Sequence, residues 1–284
     1  MSWGIGKFTA LMTKCLPWGG KKVVAILPLE GVIGASGRMQ ASLTLAGLED
    51  LINDAFDVSA LSAVAVSINS PGGSPVQSAL IMQRLKDLAA EKDVPIYVFC
   101  EDVAASGGYM LALAGEEIYA HEASIVGSIG VVSSGFGFDK AIEKIGVDRR
   151  VHTAGGKKSL LDPFQPEKEE DVKRLKQIQI KIHDYFKATV RNARGEKLSG
   201  DEENLFSGDI WTGEEAVENG LIDGIGELRT VMREKFGEKV KFKVIEEPKG
   251  FLRNLMGMQG KKGGIAAEAI QSLDEKAQWM KFGL

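Results

Sequence analysis

Val94-Pro95-Ile96-Tyr97-Val98-Phe99-Cys100, then Val103-Ala104-Ala105-Ser106-Gly107-Gly108-Tyr109, then Met110-Leu111-Ala112-Leu113-Ala114: this stretch decides the fold. The first block is a short apolar run rich in β-branched and aromatic residues and reads as a buried strand. The last block reads as a buried helix, so Ser106 stands at a strand-to-helix junction with two glycines behind it. Without a Cβ at those glycines, another backbone can approach closely, and a helix N-terminus favours negative charge on groups beside it. A plain helix cap at Ser106 is the alternative reading.

Outward from this stretch the same alternation repeats. Lys22 to Leu29 reads as a strand, Leu43 to Phe56 as a helix, and Val64-Ala65-Val66-Ser67-Ile68 as a second strand. That strand runs into Asn69-Ser70-Pro71-Gly72-Gly73-Ser74, and a helix follows with Ile81, Leu85 and Leu88 on one stripe. Downstream come a short strand at Glu117 to Ala120, a Gly127-Ser128-Ile129-Gly130-Val131 turn into a strand, and a helix over Asp139 to Ile145. A further β-type run spans Asp148 to Thr153. Alternating strands and helices at this pitch predict an α/β fold with a largely parallel sheet. In such sheets ligands meet the chain where strands end, and both glycine-bearing loops fall there.

From Pro166 the chain turns charged and helical, with Leu175, Ile178, Ile182 and Tyr185 forming one apolar stripe on a long helix. A helix–turn at Gly213 to Asp223, a helix at Glu227 to Phe236 and a strand at Val240 to Ile245 follow. Beyond Pro248, glycines among lysines read as a linker, ahead of an amphipathic helix bearing Ile270, Leu273, Ala277 and Met280. The expected organisation is an N-terminal segment (1–21), one enzyme-type domain (22–247) and a tail (248–284).

Composition narrows the class. The chain has 284 residues, 44% hydrophobic and 26% charged, as a globular protein has. Its net charge of −4 argues against nucleic acid as the main partner. Two cysteines, Cys15 and Cys100, make no disulfide framework, and the reduced cytoplasm is the expected compartment. No run reaches the ~18 apolar residues of a membrane span. Residues 1–20 mix Trp3, Ile5, Phe8 and Leu11 with Lys7 and Lys14, which suits either peripheral membrane contact or packing on a neighbouring subunit.

A nucleophilic serine needs a base and an electrophile-stabilising site. His121, His152 and His183 are the only histidines, and no motif marks any of them; His183, within the charged helix, reads as solvated or packed. Lysine is the other option, in Ala154-Gly155-Gly156-Lys157-Lys158-Ser159. It serves as a base only if burial lowers its pKa from about 10.4 toward neutrality. A solvated basic loop is the competing reading.

The blocks N-S-P-G-G-S (69–74), A-A-S-G-G-Y (104–109), G-S-I-G-V (127–131) and G-G-K-K-S (155–159), in this order, resemble the signal peptide peptidase A / protease IV family of serine proteases, with its SohB-like branch. W-T-G-E-E-A-V-E-N-G-L-I-D (211–223) is similar to that family's closing motif, and the likeness runs from about Val23 to Phe236. The resemblance implies a ClpP/crotonase-like fold of repeated β-β-α units with helical additions, and a Ser-Lys dyad. Matched motif to motif, Ser106 takes the nucleophile's place and Lys158 the general base's, with Lys157 the alternative register. Gly73 matches the backbone donor of the oxyanion hole and Ser128 the serine that orients the lysine. The implied reaction is hydrolysis of extended apolar peptides or unfolded protein through an acyl-enzyme, by a ring-like homo-oligomer, without cofactor or metal. Acyl-CoA chemistry on the same fold, or a scaffold without activity, are the alternatives.

Overall fold

The computed structural model describes residues 22–34, 43–246, 279, 280 and 282. The readings of residues 1–20, and of the tail helix at Ile270, Leu273 and Ala277, lie outside the described residues.

The strands are β1 (Val23–Glu30), β2 (Leu61–Ser70), β3 (Ile96–Ala105), β4 (Glu117–Ala120), β5 (Ile125–Gly127), β6 (Ile210–Thr212), β7 (Gly224–Ile225) and β8 (Lys241–Val244). The helices are α1 (Leu45–Phe56), α2 (Pro75–Lys92), α3 (Gly107–Ala112), α4 (Asp139–Lys144), α5 (Glu169–Arg194), α6 (Glu202–Leu205), α7 (Gly213–Glu218) and α8 (Leu228–Phe236). All eight strands join one sheet in the order β6-β5-β3-β2-β1-β8, and β4 branches from β3 to pair with β7. Every pairing is parallel except β5 with β6.

Both faces of the central strands are covered, which is why β1 and β2 read as near-continuous apolar runs. One face carries Leu27, Val66, Ile68 and Val98 against Ile52, Ile81, Leu85 and Met110. The other carries Val24, Ile26, Ala65 and Phe99 against Val231 and Met232 of α8. β3 is the hub: Tyr97 to Cys100 pair with β4, and Val103 to Ala105 pair with β5.

The structure departs from the sequence expectations in four places. β3 does not stop at Cys100 but runs to Ala105, carrying exposed Glu101 and Asp102. Between Ile68↔Cys100 and Ser70↔Ala104 it has more residues than β2, and Asn69 bridges the irregularity by accepting from Val103 N and donating to Asp102. The run at 127–131 enters no strand; β5 precedes it and ends at Gly127. The β-type run at Asp148 to Thr153 is exposed loop, because this part of the chain leaves the sheet and finds no strand to pair with. On α5 the buried residues are Phe186, Val190 and Arg194, while Tyr185 is exposed. The C-terminal half of that helix faces the core, and its N-terminal half runs beside an excursion at 131–168, where Leu175 and Phe138 help line a shared cavity of about 560 Å³.

Candidate active site

Ser106 follows the last residue of β3 and precedes the first of α3, with φ 53° and ψ −118°. That region is sparsely populated for a residue with a Cβ and costs roughly 1–3 kcal/mol, met only where the surroundings over-determine the backbone. Here they do. Ser106 N donates to Gly127 O at 2.7 Å, and its carbonyl accepts from Met110 N at 3.0 Å. Tyr109, fully buried one turn on, donates from its hydroxyl to Leu221 O at 2.7 Å. The serine does not cap its helix through its side chain, so the hydroxyl sits half-buried on a sharp strand-to-helix turn, as an exposed nucleophile requires.

Opposite lies the Asn69–Ser74 loop. Ser70 Oγ accepts from Gly72 N at 3.2 Å, Ile33 N donates to Gly72 O at 2.8 Å, and Ser74 N donates to Ile33 O at 2.8 Å. Ser74 Oγ then caps α2 by accepting from Gln77 N, with Pro75 opening the helix. The loop is thereby held against the β1 exit on both sides of Gly73. Gly73 itself is exposed, has φ +142°, and its N–H has no hydrogen-bond partner among the described residues.

Close packing ties the two loops together. A Cβ placed on Gly107 would lie 3.3 Å from Gly73 N and 2.4 Å from Ser78 Oγ; one on Gly72 would lie 2.8 Å from Ser106 Cβ. Only hydrogen at these positions lets the two backbones meet. Gly107 N, in the first turn of α3, has no intrahelical acceptor. It is a second amide beside Gly73 N, and the sequence reading missed it; the signal was the glycine directly after the serine. Two such donors can stabilise charge on a carbonyl oxygen held beside Ser106.

Ser128 reaches the same place from β5. Ala105 and Gly127 are register partners, so the turn after β5 lies alongside Ser106. Ser128 also adopts a left-handed angle, φ 53°, and its N–H donates to Asp209 O at 2.7 Å. The fold thus brings Ser106, Gly73 and Ser128 together.

Lys158 is not brought to them within this chain. It is exposed in the turn after Gly155, its own N–H bonding back to Gly155 O, and its ammonium has no partner among the described residues. Lys157 is equally exposed. The excursion carrying both also exposes Val132, Phe136, Phe138, Ile145 and Val147, and α4 within it buries nothing.

The histidines are elsewhere or otherwise engaged. His121 Nδ1 accepts from Ala123 N, and His183 Nε2 contacts Ile129 O at 3.0 Å. Burial pushes the Cys100 thiol up to about 12, which makes it an inert core residue. Among the described residues no group of His, Cys, Asp or Glu could hold a metal ion, and no helix is long and apolar enough to cross a membrane.

The closing segment anchors this arrangement from below. Arg194, with its side chain 2% exposed, donates to both carboxylate oxygens of Asp223 and to Gly220 O. Thr212 and Glu215 form a reciprocal capping box at the start of α7.

The family model for peptidase family S49 matches residues 88–241. Two proteins named Na(+)/H(+) antiporter NhaA, from Brucella abortus and Brucella melitensis, are each 48% identical over 272 residues, 92% of this chain and 37% of the relative. The chain therefore spans little more than a third of the length of those relatives. A protein named putative signal peptide peptidase SppA, from Enterococcus faecium, is 35% identical over 59% of this chain and 48% of its own length. Among solved structures, a mutant of the 1510-N membrane-bound stomatin-specific protease superposes with a TM-score of 0.52 at 16% identity, over 81% of this chain and all of that one. That likeness shows the fold, an α/β architecture of the ClpP/crotonase kind. With that family model matching more than half of its length, the chain belongs to peptidase family S49.

Proposed function

We propose that the chain is a serine endopeptidase that hydrolyses extended, apolar peptides through an acyl-enzyme on Ser106. The observation that carries this is the serine held at φ 53° beside the Gly73 amide, which has no partner among the described residues. A substrate carbonyl placed there meets a hydroxyl on one side and amide donors on the other. Attack by Ser106 Oγ moves charge to the carbonyl oxygen, where the Gly73 and Gly107 amides receive it. Losing one such donor typically costs about 2.7–4 kcal/mol.

The base in this reading is Lys158, oriented by Ser128. A lysine serves as a base where burial takes it out of water; Lys158 is exposed in this chain, so in this reading a second chain covers it. The exposed apolar excursion that carries Lys158 supports a homo-oligomer in which a second copy covers that face. Within such a ring the amine would reach a serine of the same or a neighbouring subunit. The substrate class rests on the name of the Enterococcus relative and on the family resemblance. The buried, unpaired Cys100 is compatible with the reduced cytoplasm as its compartment.

The test is cleavage of an unfolded protein and of an apolar reporter peptide by wild type, Ser106→Ala, Lys158→Ala and Lys157→Ala, with assembly size measured on each. Ser106→Ala and Lys158→Ala should each abolish cleavage without unfolding the chain, and Lys157→Ala should be mild. Cleavage surviving in Ser106→Ala would end the proposal; the reverse order of the two lysines would move the base to Lys157.

A further inference from the structure

The turn from Gly127 to Gly130 carries a strained non-glycine residue, and its backbone is tied at four points. Gly127 O accepts from Ser106 N, Ser128 N donates to Asp209 O, and Gly130 N donates to Ser128 O. The remaining tie is the only one made by a side chain among the described residues: His183 Nε2 to Ile129 O, 3.0 Å, across fifty-four positions of sequence. His183 lies three residues before buried Phe186 on α5, so it extends the stripe Phe186–Val190–Arg194 toward the site. Ile129 is itself fully buried. Directly beyond, the chain leaves the body, and Val132 is 76% exposed. His183 is thus the last anchor before the excursion that bears Lys158.

We infer that His183 is a positioning residue: it donates its Nε2–H to the Ile129 carbonyl and so fixes Ser128 in its left-handed conformation beside Ser106. It touches no substrate and moves no proton. A left-handed angle at a residue with a Cβ costs roughly 1–2 kcal/mol, comparable to what one hydrogen bond of ordinary strength returns, about 1 kcal/mol. Without the anchor, the turn has an ordinary conformation within reach. The consequence for turnover rests on the peptidase reading above; the consequence for the turn does not.

The experiment compares His183→Leu and His183→Gln with wild type by amide exchange of the peptide spanning 127–133, by thermal melting, and by kcat and KM on the reporter peptide. A glutamine amide reaches about as far as Nε2 and can donate in its place. In His183→Leu the 127–133 amides should exchange about fivefold faster, the factor one ordinary hydrogen bond sets, while those of 186–194 keep their wild-type rates. Turnover, kcat, should fall about tenfold with KM within about twofold, as for an interaction realised in the transition state. Glutamine should restore both.

Wild-type exchange at 127–133 in His183→Leu overturns the inference. So does a leucine variant that exchanges faster along its whole length, or a glutamine variant that restores nothing. If wild type itself cleaves no peptide, the peptidase reading fails, and the exchange comparison alone upholds or overturns the anchor.

Discussion

Gly73→Ala is the perturbation that most directly probes the site. A methyl group there would sit 2.1 Å from Ile33 O and 2.9 Å from Ile33 C and N. Carbon–oxygen contacts settle near about 3.3 Å, so the loop must retreat by roughly 1 Å. The same Ile33 oxygen accepts from Ser74 N at 2.8 Å, so the retreat weakens the bond that pins the loop to the β1 exit. Losing that bond costs about 1 kcal/mol, and an alanine at φ +142° adds roughly 1–3 kcal/mol of backbone strain. The expected destabilisation is about 2–4 kcal/mol, a drop near 1 M in urea midpoint for an m-value of about 3 kcal/mol/M. The Gly73 amide moves off the position where charge develops, and kcat should fall about 10²–10³-fold. Gly156→Ala is the control: nothing lies within 4 Å of its added methyl, and its effect should stay within about 0.5 kcal/mol. A Gly73→Ala variant with wild-type midpoint and turnover would refute the close seating of this loop against the Ile33 backbone and the part given to the Gly73 amide.

Two more predictions concern the support of the site. Arg194→Met should cost about 1–3 kcal/mol in denaturant melts, because it strips Gly220 O of its donor and removes two hydrogen bonds from the Asp223 carboxylate, which keeps those from Lys197 and Ile118 N. Burial pushes the Asp223 carboxyl up, but the hydrogen bonds from Arg194, Lys197 and Ile118 N outweigh it and hold the carboxyl below the ordinary aspartate range. Its stabilisation is therefore complete above about pH 4 and is lost as pH falls through the lowered native value. The difference in denaturation midpoint between wild type and Asp223→Asn should shrink over that acid window and nowhere else. In a Cys15→Ser background, Cys100 should resist a thiol reagent at pH 8 in the native chain and react only with unfolding, since burial holds its thiol up at about 12. Rapid native labelling would place it outside the core.

Much was legible in the sequence because periodicity and turn chemistry are local. The apolar runs of β1, β2 and β3 are continuous because both sheet faces are covered, and that pattern survives in one dimension. Ser106, Gly73 and Ser128 sit at strand ends, where a parallel sheet gathers its loops, so their convergence could be anticipated. The run at Asp148–Thr153 misled because β-type residues show only that a segment would suit a strand, and pairing needs a neighbour. The α5 stripe shifted because period alone does not say which half of a helix meets the core.

What the sequence by itself determined was the alternation of elements, the parallel sheet and the identity of the residues at its loop ends, since each follows from neighbours a few positions apart. Only the tertiary structure decided that the Gly73 amide has no partner among the described residues, that His183 meets Ile129 O in the turn after β5, and that Lys158 stands in solvent within the single chain. These are contacts, or missing contacts, between residues tens of positions apart. Whether a hydrogen-bonding group is satisfied depends on what folding brings beside it.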